Sequence, residues 1–511
     1  MVGADPRDRN EGQRLTMADD AEDPWGFLAA RKSAPESAPS SQGAETADSS
    51  SDDVDWGAIA QGRTPKRERG ELRAEMAVVS LRRRGWPLAV ALVLVFTAGF
   101  ITEVVASSQM ISLAGTGSVL YIYPLGGIGL IALALLQYRF VDHAARLAML
   151  RIAALGYAAV LAIAWIAILT GVVPVFATGV VWLLADQINF LLPVLIWSLA
   201  ADEFNVAEAR KIFGWLVAWT YVGQVLGLTV ALLGPLILKP LDLPLPVLLG
   251  VAPAACVILG VWLPSAMKKS GAAKGTAQRQ TYSEAFADAR DFVKGVPVWR
   301  NMIIASTLTF IAGTTVIMGF AVGVGDNVGA DAANMQMIFS GAWLAALVIC
   351  WLIQTFASER IADRLGISVS LIVLPIATAG AAIVLGLGFA LQSIPVLIAA
   401  ISIWRLPRWS IDENARRSAL ALVPDDKRAR ISFLNDLMPV AVGLILAAPI
   451  VGVGFLTDQF WIAGAIALVI ALAAIPFARK VIAGWDDSMM NWRLRRRKQN
   501  RSLDFGEAQN G

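Results

Sequence analysis

Twelve long apolar segments follow one another between residue 86 and residue 477. Each is long enough for a helix of roughly 20 residues, which crosses about 30 Å of hydrocarbon. Pro and Gly interrupt many of them, and membrane helices tolerate this when neighbouring helices satisfy the freed backbone groups. The pattern predicts transmembrane helices at 86–108, 117–137, 147–170, 175–200, 213–238, 245–264, 299–323, 335–357, 367–391, 393–411, 431–453 and 458–477.

The two ends of the chain differ from this apolar body. Residues 1–78 are rich in Ser, Ala, Pro, Asp and Glu, and they cannot bury enough apolar surface to offset the entropy of ordering, so we predict a disordered tail. Its two acidic Trp-Gly motifs, at 23–28 and 53–57, are either docking motifs for a protein partner or chance features. Residues 478–511 form a basic tail, which we expect to contact anionic lipid head groups.

Lys and Arg residues collect before the first apolar segment and in alternate loops after it. By the positive-inside rule, this bias predicts that both termini are cytoplasmic and that the protein spans the inner (plasma) membrane many times. The longest basic loop, 265–298, links a first half at 79–264 to a second half at 299–477. Within it, apolar residues of 281–294 recur on one side of a predicted amphipathic helix, which should lie on the membrane surface.

Composition agrees with the membrane assignment and excludes several classes of function. The chain is 56% hydrophobic and 16% charged, and its net charge of +3 gives no case for nucleic-acid binding. Cys256 and Cys350 lie in separate apolar segments, and His143 is the single histidine. We therefore expect neither a disulfide framework nor a metal site, no cofactor, and no enzymatic activity.

The two halves of the sequence resemble each other. Trp197-Ser198 closes the fourth segment and Trp409-Ser410 closes the tenth, and acidic residues and an asparagine follow each pair. A basic stretch then leads into the next segment in both halves. This internal repeat predicts two six-helix units of similar structure.

Small residues four positions apart occur in matched places of the two halves. They are Gly223 and Gly227 in the fifth segment, and Gly443 and Ala447 in the eleventh. Such spacing lets helix backbones approach closely, although it also arises by chance in glycine-rich membrane helices. Its repetition in both halves favours a packing role.

The loops after the second and eighth segments carry a recognisable motif. Residues 359–366 read Glu-Arg-Ile-Ala-Asp-Arg-Leu-Gly, which resembles the cytoplasmic loop signature of the major facilitator superfamily. The matching loop at 138–146 keeps an Asp and an Arg but lacks both glycines. The resemblance implies that these loops form a cytoplasmic gate through Asp142, Arg146, Asp363, Arg364 and Gly366.

The superfamily resemblance also implies an architecture. The fold class is then all-α and polytopic, with twelve transmembrane helices in two pseudo-symmetric halves related by an axis along the membrane normal. The first, fourth, seventh and tenth helices would surround a site near the midplane. Such proteins work by alternating access.

A second resemblance is to the bacterial and plastid ATP/ADP exchange carriers of the same superfamily. It covers 197–205 and 208–214 in the first half, and 423–430 and 433–436 in the second. This resemblance implies a nucleotide or nucleoside exchanger as one alternative. However, a site for ATP needs several basic groups, and few basic residues lie within the segments.

Ionisable residues inside hydrocarbon are costly, so each is a candidate for a functional site. The candidates for substrate or coupling-ion binding are Glu103, Asp186, Asn189 and Arg405. Asp186 and Asn189 are three residues apart and share a helix face. Asp186 either takes a proton or cation on one side of the membrane and releases it on the other, or forms part of a buried pair in which Asp186 or Glu103 neutralises Arg405. Glu103 is either part of the site or hydrated near the outer surface.

These observations predict a secondary active transporter for a small organic solute, and they leave proton coupling open. One arginine and two carboxylates suit a monoanion, a zwitterion or an amphipathic molecule. Two alternatives stay open: the nucleotide or nucleoside exchanger, and a non-transporting membrane scaffold or assembly factor of the same fold.

Overall fold

The computed structural model describes residues 66–141, 146–204, 206–267, 290–356, 358–420, 423, 431 and 433–507. One compact unit spans Leu72–Gly511, and the unit before it, Met1–Glu71, lies almost wholly outside the described residues. The Trp-Gly motifs of the predicted N-terminal tail are therefore outside the described part of the chain. All regular structure within the described residues is helical.

Twelve apolar helices cross the compact unit, as the hydrophobic pattern predicts. Eleven are long and apolar enough to span a membrane, Val251–Ala266 together with the 3-10 segment Leu245–Gly250 before it and Ile394–Pro407 together with the π-helical turn Arg408–Asp412 after it. The apolar part of the remaining one, Thr116–Ala132, is shorter. This confirms an all-α polytopic membrane protein. The helices are α1 (Lys66–Ala114), α2 (Val119–Val141), α3 (Arg146–Thr170), α4 (Pro174–Glu203), α5 (Val206–Leu238), α6 (Val251–Ala266), α7 (Pro297–Asn327), α8 (Ala332–Phe356), α9 (Ser358–Ala390), α10 (Ile394–Pro407), α11 (Met438–Thr457) and α12 (Trp461–Glu507).

Several helix ends differ from the predicted limits. Helix α1 begins well before residue 86, and α12 continues to Glu507 instead of ending near 477, so most of the predicted basic tail is helical. A helix that leaves the membrane keeps its internal backbone hydrogen bonds, so it does not need to stop at the hydrocarbon edge. Residues 290–295 are helical, which includes 290–294 of the predicted amphipathic linker helix, and the rest of that helix is outside the described residues.

Burial separates lipid-facing helices from central ones. Only 22% of the apolar stretch of α3 is buried, whereas 89% of that of α7 is buried. Large apolar side chains on the outer helices are exposed, for example Ile163 on α3 and Phe176 on α4. Acyl chains solvate such residues, so their exposure is expected in a membrane. Helix α7 therefore lies at the centre of the bundle.

The two halves meet along two pairs of helices. Helix α2 packs on α11, and α5 packs on α8. At the first contact, a Cβ on Gly127 would lie 2.7 Å from the carbonyl oxygen of Ala441, so only glycine allows this approach. At the second, the buried Gln336 donates a 2.7 Å hydrogen bond to the carbonyl oxygen of Ala231.

Both predicted small residues of α5 face the backbone of α1. A Cβ on Gly223 would lie 2.7 Å from the carbonyl oxygen of Val93, and one on Gly227 would lie 2.8 Å from that of Thr97. The hydroxyl of Thr97 also donates a 3.1 Å hydrogen bond to the carbonyl of Gly223. These contacts bring the backbones of α1 and α5 together.

The corresponding residues of the second half occupy similar surroundings. A Cβ on Gly443 of α11 would lie 2.9 Å from the carbonyl oxygen of Phe310 on α7. Ala447, one turn further along, is fully buried. The pair α7 and α11 thus repeats the close approach of α1 and α5, in keeping with the internal repeat of the sequence.

Candidate functional site

Glu103 and Asn189 join α1 to α4 in the middle of the first half. The amide nitrogen Nδ2 of Asn189 donates a hydrogen bond to Oε2 of Glu103 across 3.2 Å. Gly99, one turn from Glu103, makes room for this contact, because a Cβ there would collide with the Asn189 side chain. Glu103 is half-buried, and its carboxylate faces α4.

Asp186, one turn from Asn189 on α4, faces helix α2. Its Oδ2 atom would lie 3.1 Å from a Cβ on Gly126. Tyr123 lies three residues before Gly126 and therefore on the same face of α2. The Tyr123 phenol is within electrostatic range of Asp186, Glu103 and Arg405. Tyr123 is thus a fifth member of the site. Sequence reasoning missed it, although its spacing from Gly126 places both on one helix face.

Arg405 on α10 is clamped by two tryptophans of the second half. Its Cζ atom lies 3.9 Å from the ring centroid of Trp343 on α8 and 4.8 Å from that of Trp409. The residue is only 6% exposed. Cation–π attraction to a desolvated guanidinium contributes about 2 kcal/mol. The clamp holds the cation inside the bundle and away from lipid.

Some N–H donors of the Arg405 guanidinium nevertheless form no hydrogen bond within the described residues. Nε and Nη1 of Arg405 and Nε1 of Trp343 are buried and have no hydrogen-bond partner within the described part of the chain. Glu103 acts on Arg405 through space, but among the described residues no carboxylate is close enough to form an ion pair with it. The predicted alternative of a direct buried pair between Arg405 and Asp186 or Glu103 is therefore not observed.

The charges of this cluster are divided between the halves. The carboxylates of Glu103 and Asp186 belong to the first half and lie within electrostatic range of each other, whereas Arg405 belongs to the second. Aromatic side chains border the cluster: Phe100 packs edge-on against Trp343, and Tyr123 packs edge-on against Trp182. We call Glu103 and Asp186 the acidic wall, and Arg405 with its two tryptophans the basic wall. The acidic wall belongs to the first half and the basic wall to the second.

A polar contact joins the halves near the ends of α8 and α10. We call this face, where α2 ends and α3 begins, the basal face, and the opposite one the distal face. The hydroxyl of Tyr221 on α5 donates a 2.7 Å hydrogen bond to Oε1 of Gln354 on α8. Nε2 of Gln354 donates a 3.0 Å bond to the carbonyl of Trp409. Gln354 thus contacts the backbone of Trp409, one of the two tryptophans that cover Arg405.

A second polar contact joins the halves at the distal face. The hydroxyl of Thr116, which follows α1, donates a 3.0 Å hydrogen bond to Oδ1 of Asp326 at the end of α7. Gly325 lies under Thr116, and a Cβ there would come within 2.6 Å of the threonine methyl group. Sequence reasoning singled out neither contact, because their partners are far apart in the chain.

Buried ion pairs occupy the basal end of the second half. After α10, a π-helical turn (Arg408–Asp412) leads into a short helix, Glu413–Leu420. Nε of Arg416 lies 2.9 Å from Oδ2 of Asp412, and its Nη1 lies 3.7 Å from Oδ1 of Asp436. Arg408 also contacts Asp412, at 3.5 Å. This network ties the end of α10 to the start of α11.

The predicted loop motifs are only partly within the described residues. Arg146 donates a 3.3 Å hydrogen bond to the carbonyl of Ser198, whereas Asp142 is outside the described part. Asp363 and Arg364 lie in α9, and only their backbone is described. Gly366 has a φ of 71° and kinks α9, a conformation that favours glycine. A gating role for these residues stays a prediction.

Comparison with known proteins is informative at the level of the fold. No family model matches the chain, and no curated protein matches it. The nucleoside transporter NupG superposes with a TM-score of 0.58 at 15% identity, covering 78% of this chain and 99% of that one. An inward-facing bacterial homologue of the iron transporter ferroportin gives 0.54 at 17% identity, covering 79% and 99%.

A third structure is a bacterial homologue of the human lysosomal transporter Spinster, in an inward-facing, unoccupied conformation. It gives a TM-score of 0.51 at 14% identity and covers 80% of this chain and 98% of that one. At such identities the likeness concerns the fold, and the predicted resemblance to ATP/ADP exchange carriers stays a prediction. The chain has the major facilitator fold.

Proposed function

We propose that this protein is a secondary active transporter that moves a small organic solute across the membrane by alternating access. The observation that carries the proposal is the buried Arg405, whose Nε and Nη1 donors have no partner among the described residues. An unsatisfied buried donor costs about 1–3 kcal/mol, so a protein retains one where a ligand supplies the acceptor. The location of Arg405 at the boundary of the two halves suits a solute that each half contacts in turn.

Two of the polar contacts between the halves, one at each face, are the gates of this cycle. Separation of Tyr221 from Gln354 opens the basal face, and separation of Thr116 from Asp326 opens the distal face. The rocking motion keeps each six-helix half intact, because the close backbone contacts of Gly223 and Gly443 lie within the halves. In this proposal the basal face is cytoplasmic, as the distribution of Lys and Arg predicts.

Asp186 is the proposed coupling residue. Its carboxylate lies near that of Glu103, and two carboxylates that share a site hold one proton more readily than isolated ones do. Binding a proton on one side and releasing it on the other would couple solute movement to the proton gradient. Glu103, held by Asn189, stays as the fixed negative charge.

The structural neighbours favour transport as the class of function without choosing a solute. They include a nucleoside transporter, a peptide transporter and a bacterial homologue of an iron transporter. A nucleotide would bring several negative charges to a cluster whose one cation, among the described residues, is Arg405. A scaffolding role would leave the buried Nε and Nη1 donors of Arg405 without a ligand to accept from them.

Uptake by proteoliposomes tests this proposal. Vesicles containing the full-length chain are incubated with a ¹³C-labelled metabolite extract, with and without an inward proton gradient, and the contents are identified by mass spectrometry. We expect wild type to accumulate at least one solute when the gradient is present. Asp186→Asn should lose accumulation but retain exchange of that solute, whereas Asp242→Asn, in an exposed turn after α5, should behave as wild type. If no solute enters or exchanges, the transport proposal is wrong.

A further inference from the structure

We infer that the solute is a small zwitterion, an amino acid or a similar amino-carboxylate, that bridges the two halves. Its carboxylate binds Arg405, and its ammonium group binds beside Glu103 and Asp186. This inference rests on the proposed transport function and names the chemical class of its substrate. The juxtaposition that supports it is an acidic wall and a basic wall on opposite halves, with no direct ion pair between them in the described residues.

The basic wall is suited to a carboxylate. The indoles of Trp343 and Trp409 lie against the guanidinium carbon, at 3.9 and 4.8 Å from their centroids. Rings that cover a guanidinium leave its edge, where the N–H groups point, for a planar acceptor. Nε1 of Trp343 is a further buried donor without a described partner. A carboxylate has enough lone pairs to accept from more than one of these donors.

The acidic wall is suited to an ammonium group. The carboxylate of Glu103 accepts one hydrogen bond, from Asn189, and retains lone pairs for other donors. Asp186 and the phenol oxygen of Tyr123 lie within electrostatic range of Glu103. Oxygen-bearing groups from α1, α2 and α4 thus lie within electrostatic range of one another. An ammonium group has three N–H donors to offer them.

Charge balance separates a zwitterion from the other candidates. Net charge in a low-dielectric interior is costly. With one proton shared by Asp186 and Glu103, the cluster with Arg405 is neutral, and a zwitterion leaves it so. A monoanion would leave one negative charge, and a nucleotide would leave several. The same argument disfavours a simple amine, which would leave one positive charge.

The test uses three matched ligand sets with the detergent-solubilised full-length protein at pH 7. The first contains the proteinogenic amino acids together with β-alanine and 4-aminobutyrate. The second contains their carboxyl amides, which lack the carboxylate, and the third contains their N-acetyl derivatives, which lack the ammonium group. The readout is the midpoint of thermal unfolding as a function of ligand concentration, because a ligand that binds the native state raises it.

We expect at least one free amino acid to raise the midpoint in a saturable way, and both of its blocked derivatives to bind at least tenfold more weakly. Arg405→Gln should abolish the response to the free amino acid, and Glu103→Gln should weaken it at least tenfold. Because the blocked derivatives act on the unmutated protein, the test does not depend on the variants folding. The inference is overturned if no free amino acid binds, or if either blocked set binds as well as the free set.

This outcome is separable from failure of the proposed function. If the proteoliposomes accumulate a sugar, a dication or a simple anion and no amino acid binds, transport stands and the zwitterion inference falls. If amino acids bind with the expected pattern but no solute crosses the vesicle membrane, the site is a binding site and the transport proposal falls.

Discussion

The side-chain amide of Asn189 donates a 3.2 Å hydrogen bond to the carboxylate of Glu103, although 86 positions separate the two residues in the chain. Asn189 is seated over Gly99, so its position is fixed by helix packing as well as by the hydrogen bond. The carboxylate is thereby held within electrostatic range of Arg405 in the opposite half. This bond fixes the acidic wall of the candidate site.

Asn189→Ala removes the donor and frees the Glu103 carboxylate. A hydrogen bond to a charged group contributes about 1.5–3 kcal/mol, so solute affinity should fall by roughly 10- to 100-fold. The measurement is the KM for uptake into proteoliposomes. Asn327→Ala is the matched control, because Asn327 donates only to Gly323 within its own helix in the contacts described. An unchanged KM for Asn189→Ala would remove this bond from the mechanism.

Gly223→Ala should destabilise the first half. Its new Cβ would lie 2.7 Å from the carbonyl oxygen of Val93, and overpacking of this kind costs about 1–3 kcal/mol. The midpoint of thermal unfolding in detergent is expected to fall. Gly214→Ala in the same helix has open space around it, so it should be neutral or stabilise by up to about 1 kcal/mol. Equal effects of the two substitutions would contradict the packing assignment.

Tyr221→Phe removes the 2.7 Å hydrogen bond to Gln354 that joins the halves at the basal face. The net loss of about 1 kcal/mol should shift the population toward a basal-open state by roughly fivefold. Distances between spin labels on S265C and K480C, at exposed positions of α6 and α12, should lengthen. Thr355→Ala is the control, because the Thr355 hydroxyl bonds to Trp351 within α8. No change in the distance distribution would argue against a basal gate here.

Thr116→Val acts on the other face of the molecule. It removes the 3.0 Å hydrogen bond to Asp326 while nearly preserving side-chain volume, so the distal-open state should gain population. Labels on V172C and L391C, at exposed distal positions, should move apart. Thr170→Val serves as control, because the Thr170 hydroxyl bonds within its own helix. A shift in the basal pair instead would show that the distal contact is not a gate.

Asp412→Asn should be much more damaging than a comparable change in an exposed ion pair. The side chains of Arg416 and Asp412 are 3% and 7% exposed, and breaking a buried pair leaves an uncompensated charge that costs about 3–5 kcal/mol. Glu208, paired with the half-exposed Arg84, is the control, and Glu208→Gln should cost at most about 1 kcal/mol. Chemical unfolding in mixed micelles measures both. Similar losses would mean that burial does not determine the strength of these pairs.

The sequence by itself determined the helices and their number. Hydrocarbon thickness sets the length of an apolar helix, so twelve such segments could be read directly, and the matched Trp-Ser pairs and small residues revealed the internal repeat. Helix ends were less predictable, because α1 and α12 continue into polar sequence through residues that often end a helix, among them Pro87 and Pro476. The high cost of charge in lipid identified Glu103, Asp186 and Arg405 as candidates.

Only the tertiary structure decided how those candidates are arranged. The position of the Glu103 carboxylate depends on Asn189 and Gly99. The clamp on Arg405 depends on Trp343 of α8 and on Trp409, one turn after Arg405. Tyr123 joins the cluster because α2 packs against α4, and the gate contacts pair residues from different halves. A sequence pattern reports which face of a helix is polar, whereas the distance between two polar faces depends on helix packing across the whole bundle.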